Sequence, residues 1–178
     1  MSIRVLLADD HEMFLEGLRE LLGKADGIEL AGLARDGAEA VAAAERLQPD
    51  VALMDMTMPR LNGIQATQKI AAGSPGTKVL VLSMHGDKNL IVESLKAGAR
   101  GYVLKECSSQ ELCLAIQTVA NGQYYLTPAI LSTLIGDYLR LTENEEQGSD
   151  CPLSERELDV LKLLVKGCNA KQIAEQLS

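Results

Sequence analysis

No C-x-x-C pair occurs in this chain of 178 residues; its four cysteines, Cys107, Cys113, Cys151 and Cys168, are scattered. Disulfide staples and a zinc site therefore lack support, and reduced thiols are expected. No apolar run approaches the roughly 20 residues of a membrane-spanning helix, and the first residues lack a signal-peptide layout. The expectation is a cytoplasmic protein with no membrane partner. Histidine is scarce, with His11 and His85 alone, and no serine-elbow pattern is present, so a hydrolytic triad has little support. The loop Gly73-Ser74-Pro75-Gly76 lacks the lysine of a phosphate-binding P-loop. Positive charge is in short supply as well: 17 Lys and Arg face 25 Asp and Glu, for a net charge of −8. That balance excludes a chain that holds nucleic acid over its whole surface, while leaving room for a small DNA-reading module.

What is present is an ordinary globular composition, 47% hydrophobic and 24% charged. Short apolar runs alternate with segments of helical period, the pattern of βαβ units and a parallel sheet. Strands are predicted at Ile3–Ala8, Ile28–Ala34, Val51–Met54, Lys78–Ser83 and Gly101–Leu104. Helices are predicted near His11–Lys24, Gly37–Leu47, Asn62–Ala72, Lys88–Ala97 and Ser109–Asn121. Asp36-x-x-Glu39 and Ser108-x-x-Glu111 have capping-box spacing, Asp87 is placed to cap the fourth helix, and Gly98 and Gly122 stand where helices should stop. The fold class that follows is α/β, a doubly wound five-stranded parallel sheet.

Beyond Gly122 the rhythm changes. Pro128–Leu141 reads as an amphipathic helix and Thr142–Asp150 as a polar, acidic linker. Ser154-x-x-Glu157 then opens a helix carrying Leu158, Leu161, Leu164 and Val165; Gly167 ends it, and Asn169 opens a second short helix. Helix, glycine turn and helix begin a helix-turn-helix pattern. The expected division is 1–124 for the α/β domain, 125–152 for a linker with its helix, and 153–178 for the start of a helical module.

The residues that carry chemistry lie at strand ends. Asp9 and Asp10 follow the first run, Asp55 the third and Lys105 the fifth. If those runs are neighbouring parallel strands, all four residues meet at the carboxyl edge of one sheet, where open α/β sheets place their sites. Clustered carboxylates suit a hard cation such as magnesium, and a carboxylate beside it can accept a phosphoryl group. The plainer reading of Asp10 alone is a helix N-cap, and that of Ser83, which ends the fourth strand, a turn residue. Tyr102 reads most plainly as a half-buried aromatic packed on the next helix. His11 and His85 read as solvated polar residues. Met58-Pro59-x-x-Asn62-Gly63 implies a turn that leaves Asp55 on an exposed loop and lets a backbone carbonyl reach the metal.

Asp9-Asp10, Asp55 with Met58-Pro59 and Gly63, Ser83 and Lys105, in this order and spacing, resemble the receiver domain of two-component response regulators. Leu153-Ser154-x-Arg156-Glu157-x-x-Val160-Leu161 and Gly167-x-x-x-Lys171-x-Ile173-Ala174-x-x-Leu177 resemble the opening of a LuxR-type helix-turn-helix, and together with Tyr124-Tyr125-Leu126-Thr127-Pro128 they indicate the NarL/FixJ class. The resemblance implies a flavodoxin-like receiver. Asp55 would be the phosphoacceptor. Asp9, Asp10, the Asp55 carboxylate and the Thr57 carbonyl would hold magnesium, with manganese as a substitute. Lys105 would pair with the phosphoryl group, Ser83 would hydrogen-bond it, and Tyr102 would be the rotamer switch. Ser83 stands where many receivers have threonine, and Met84 is bulkier than the residue many place next, which implies narrower access to Asp55.

The implied partners are a sensor histidine kinase as donor and, for a full-length parent, promoter DNA; a homodimer formed on phosphorylation is compatible with both. The implied chemistry is the protein's own phosphoryl transfer and dephosphorylation, not turnover of a separate substrate. A magnesium-dependent phosphatase that also forms an aspartyl phosphate is the rival, but such enzymes carry a second acid two residues after the nucleophile, and here that position is Thr57. An interaction domain with an unused pocket is a second rival, disfavoured by the intact acid–lysine set. The resemblance also implies that the recognition helix is missing from this chain, as in a truncated or processed fragment. The segment after Leu126 holds five basic residues against nine acids. Specific DNA binding is therefore expected of the parent and not of these residues alone.

Overall fold

A computed structural model describes residues 2–132 and 134–136. Six parallel strands form one sheet: β1 (Ile3–Ala8), β2 (Ile28–Ala34), β3 (Val51–Asp55), β4 (Lys78–Ser83), β5 (Gly101–Leu104) and β6 (Tyr125–Leu126), in the order β2-β1-β3-β4-β5-β6. Five helices alternate with them: α1 (Glu12–Gly23), α2 (Gly37–Leu47), α3 (Gly63–Gly73), α4 (Lys88–Lys96) and α5 (Ser109–Ala120). The expectation of five strands is thus corrected to six. Tyr125 and Leu126 pair with Gly101 and Tyr102, which satisfies backbone groups on the outer edge of β5. Two residues are too few to show a hydrophobic period, so this strand exists only through its partner.

The helices begin and end for local reasons. Asp36 Oδ1 accepts from the amides of Ala38 and Glu39 at the start of α2, and Glu39 reaches back to the Arg35 amide. Asn62, Asp87 and Ser108 cap α3, α4 and α5. Gly98 and Gly122 take positive φ just past α4 and α5, a conformation that costs glycine little. Asp10 does not cap α1. His11 occupies that position and makes no side-chain capping bond, and Asp10 is exposed at the sheet edge.

Alternation along the strands divides the core into two layers. On one face Val5, Leu7, Val51, Leu53, Leu80, Leu82 and Val103 pack against Leu15, Leu18 and Leu22 of α1 and Leu112, Ala115, Ile116 and Val119 of α5. On the other, α2 packs on α3 and α3 on α4. The central strand β3 is buried along its whole length, as a parallel strand covered on both faces must be.

The first compact unit runs Met1–Leu126. In the unit that begins at Thr127, residues 128–132 and 134–136 are helical, with Thr127 Oγ1 accepting from the Ile130 amide and Pro128 at the first helical position. The remainder of the predicted helix to Leu141, the linker, and the predicted helices of 153–178 lie outside the described residues. Among the described residues no helix is long and apolar enough to cross a membrane, and Cys107 and Cys113 are free thiols.

Two glycines make opposite demands. At Gly63 a Cβ would collide with the Asp55 carbonyl oxygen, so the start of α3 can lie against the end of β3 only because no side chain is there. At Gly17, in the middle of α1, a Cβ would meet nothing within 4 Å. Gly17→Ala should therefore raise stability by about 0.5–1 kcal/mol, and Gly63→Ala should lower it by about 1–3 kcal/mol. Urea denaturation of both variants checks this; a neutral Gly63→Ala would disprove the close approach.

Candidate functional site

Parallel pairing brings the strand ends level. Ala8 lies opposite Met54, Asp55 opposite Leu82, and Ser83 opposite Leu104. Backbone bonds carry the ladder one residue further, Asp9 N to Ala34 O at 3.1 Å and Lys105 N to Ser83 O at 2.9 Å. Asp9, Asp55, Ser83 and Lys105 thus converge on the carboxyl edge of the sheet, as their positions after the apolar runs predict.

Lys105 is the hub. Its Nζ donates to Asp9 Oδ2 at 2.6 Å and stands 2.9 Å from Asp55 Oδ1, with all three side chains nearly buried. The ammonium also lies 4.5 Å from the centre of the Phe14 ring, whose face favours a cation. Burial pulls the Lys105 pKa down, but hydrogen bonds and charge from Asp9 and Asp55 outweigh it and leave the ammonium above its ordinary value. Asp55 is only 3% exposed, which corrects the expectation of an exposed loop. The strand continues through Asp55, and the turn begins one residue later.

The remaining oxygens are held by short-range bonds. Asp55 Oδ2 accepts from the Thr57 amide at 2.9 Å, so Thr57 contributes its N–H here. Asp9 Oδ1 accepts from the His11 amide at 2.9 Å. The His11 ring enters as well: Nδ1 is 3.1 Å from Asp9 Oδ1 and 3.0 Å from Asp10 Oδ1. Among the described residues, Asp9, Asp10 and His11 form the group whose ligand atoms all lie within 4.8 Å, a set able to hold a metal ion. The bridging role of His11 was not read from the sequence, although a histidine directly after two acids was its signal. Sequence reasoning also missed the contact between Arg60 and Asp36 described below.

Beside this centre, Ser83 Oγ accepts from the His85 amide at 3.1 Å, and the Tyr102 hydroxyl donates to the His85 carbonyl at 2.6 Å. Tyr102 is fully buried, more deeply than its plain reading as half-buried implies. Burial pushes its phenol above the ordinary value; a hydrogen bond with Ser83 works against that, and the charges of Asp87 and Asp55 add to it. Met84, between Ser83 and His85, points into solvent at 61% exposure.

Residues 5–117 match the family model described as the response regulator receiver domain, and residues 151–178 match that of bacterial regulatory proteins of the luxR family. The chain is 41% identical to the transcriptional regulatory protein MctR of Rhizobium johnstonii over 99% of its own length and 79% of MctR. It is 37% identical to the transcriptional regulatory protein DegU of Brevibacillus brevis, over 99% of this chain and 80% of DegU. Among solved structures, it superposes on a LuxR-family two-component response regulator from Aurantimonas sp. SI85-9A1 with a TM-score of 0.74, at 30% identity, over 78% of this chain and 99% of that one.

Removing the shared cation should be costly, since two buried carboxylates would then face each other without a counter-charge. Lys105→Met should lower stability at neutral pH, without divalent metal, by about 3–5 kcal/mol. Denaturant melts of both proteins measure it. A loss below about 1 kcal/mol, the scale of an exposed pair, would show that solvent and not Lys105 balances the two charges.

Proposed function

Because the chain belongs to the response regulator receiver family and ends in a LuxR-family segment, we propose that Asp55 accepts a phosphoryl group from a sensor histidine kinase and that its modification governs transcription through promoter DNA. The observation that carries this reading is the placement of two carboxylates on one buried lysine at the open edge of the sheet. A hydrophobic core has no use for such a set, whereas a divalent cation arriving with a phosphoryl group does. In this reading residues 1–124 are the receiver proper, with Tyr125–Leu126 completing its sheet, 125–152 the connection, and 153–178 the opening of the DNA-reading module. The protein acts on itself and turns over no separate substrate. The work is cytoplasmic, in keeping with the family.

Asp9 and Asp10, with the Asp55 carboxylate and the Thr57 carbonyl, would hold magnesium, and manganese in its place; the oxygen donors fit a hard cation. When bound, the ion supplies positive charge against the phosphoryl oxygens. The Asp55 carboxylate, held at Oδ2 by the Thr57 amide, attacks phosphorus in line with the leaving nitrogen of a phosphohistidine. The P–N bond breaks, its electron pair stays on the imidazole, and a P–O bond forms to give an acyl phosphate. Lys105 is already fixed at this position and offers its ammonium to the new oxygens, so little reorganisation is needed as charge moves. Hydrolysis of that P–O bond by water returns the carboxylate and releases inorganic phosphate. Ser83 Oγ, which accepts from the His85 amide in this state, is a hydroxyl at the same sheet edge that can instead donate to a phosphoryl oxygen. Such a shift would alter His85, and through its carbonyl the hold on Tyr102.

Acetyl phosphate with magnesium should add one phosphoryl group to the wild type and none to Asp55→Asn, as read by intact mass. Equal uptake by the two would remove Asp55 from its role. Ser83→Ala should still be modified, within about tenfold of the wild-type rate, yet the amide and ring resonances around Tyr102 should no longer respond to beryllofluoride. Wild-type spectral changes in that variant would take Ser83 out of the coupling.

A further inference from the structure

The loop between Asp55 and α3 is tied down at a point remote from the reacting atoms. Asp36 is 1% exposed, and its two oxygens do different work. Oδ1 caps α2 through the amides of Ala38 and Glu39. Oδ2 is buried and takes no regular hydrogen bond; what reaches it is the guanidinium of Arg60, from the loop after Asp55. Arg60 is otherwise a surface residue, with its side chain 71% exposed. Its backbone is unusual: φ is +65°, one of two positive values at non-glycine residues among those described. A left-handed arginine has no local reason to persist, because arginine lacks the short side chain that lets asparagine bond its own turn.

The same contact is reinforced from the backbone. A Cβ at Gly37, the first residue of α2, would collide with the Leu61 carbonyl oxygen, so the loop lies directly on the start of that helix. At its two ends the loop is closed by Gly63 N to Met56 O at 3.1 Å and by Thr57 N to Asp55 Oδ2 at 2.9 Å. The segment from Met56 to Asn62 is therefore held at its base by Asp55 and at its tip by Asp36. An exposed ion pair would contribute little to stability. This one differs because one partner is a buried carboxylate oxygen with no alternative donor among the described residues.

We propose that Arg60 is a positioning residue for the phosphoryl site: its ion pair with buried Asp36 clamps the 56–62 loop against α2 and thereby fixes the Thr57 amide that orients Asp55. The inference rests on the reading of Asp55 as the phosphoacceptor. Released at its tip, the loop would swing about its base, the Thr57 amide would lose its fixed aim, and the Asp55 carboxylate would sample orientations poor for in-line attack. Misplacement of a reacting group by about 1 Å is enough to cost up to about a hundredfold in rate.

The test is a double-mutant cycle on the full chain with Arg60→Ala and Asp36→Asn, in which asparagine keeps the Oδ1 cap and removes the charge. Two quantities are read: the rate of acetyl phosphate labelling at Asp55, and the position and width of the Thr57 amide resonance. Each single variant should slow labelling by about tenfold or more, with the Thr57 resonance shifted or broadened, and the double variant should be no slower than either. Arg60→Lys should recover part of the rate. Arg60→Gly, which relieves the positive φ, should remain slow, separating the ion pair from backbone strain. Wild-type labelling and an unmoved Thr57 resonance in Arg60→Ala would overturn the proposal, as would purely additive defects. Absence of labelling in the wild type would instead defeat the phosphoacceptor reading, and the Thr57 resonance would still decide the clamp.

Discussion

Three charges that would each be unfavourable alone make the edge of this sheet stable together. Lys105 lies 96 residues from Asp9 in sequence, yet bonds it at 2.6 Å and Asp55 at 2.9 Å. Both acids are buried, so each needs a partner that water cannot replace. The ammonium meets that need only if β1, β3 and β5 end at one height. Register is therefore an electrostatic requirement as well as a packing one. A slip of one residue in β5 would turn Val103 out of the α1–α5 core and carry Lys105 to the opposite face. Hydrophobic burial and charge pairing specify the same register, which is the kind of agreement between levels that marks a well-determined fold.

The same constraint explains why an anion reaching the centre needs a cation beside it. One cation serving two carboxylates leaves the trio with net negative charge; the Phe14 ring helps to hold the ammonium in place without changing that sum, and His11 bridges Asp9 and Asp10 beside it. Positive charge added on the Asp10 side relieves that imbalance. A phosphoryl dianion alone would aggravate it. A cation and a phosphoryl group arriving together keep the site near balance, which is the electrostatic logic behind the proposed joint use of a divalent ion and Lys105.

Most of the sheet was legible in the sequence because its signals are local. Val51–Met54 and Lys78–Ser83 are apolar runs bounded by turn residues, and Asp36, Asp87 and Ser108 announce helix starts with side chains that bond amides two or three residues away. The strand ends located Asp9, Asp55 and Lys105 for the same reason. What escaped depends on distant pairing. Tyr125–Leu126 becomes a strand only against β5. Asp55 looked exposed because the turn signal after it is strong, and nothing local shows that Lys105 closes over it. Asp10 looked like a cap, but the chain turns into α1 one residue later, at His11. Arg60 carries no signal at all. An arginine in a loop reads as solvated until the buried oxygen of Asp36 is known to lie beneath it.

The bonds around His85 set a scale for what a switch built here would have to supply. Tyr102 is fully buried and its hydroxyl donates to the His85 carbonyl at 2.6 Å, while Ser83 Oγ accepts from the amide of the same residue at 3.1 Å. Each such bond contributes about 0.5–1.5 kcal/mol net. Shifting a population from 1:99 to 99:1 takes roughly 5.5 kcal/mol of differential binding. Breaking the tyrosine bond alone therefore cannot set the balance. Most of the difference has to come from charge-assisted contacts to a phosphoryl group, which are about twice as strong as neutral ones, with Lys105 and Ser83 as the donors within reach. The apolar shell around Tyr102 favours the buried ring, since an outward rotation would leave a cavity costing roughly 24 cal/mol per Å³. On the proposed reading, Ser83 drawn toward a phosphoryl group vacates space beside the Tyr102 ring and favours its buried position. The serine hydroxyl is then the link that turns charge at Asp55 into packing at β5.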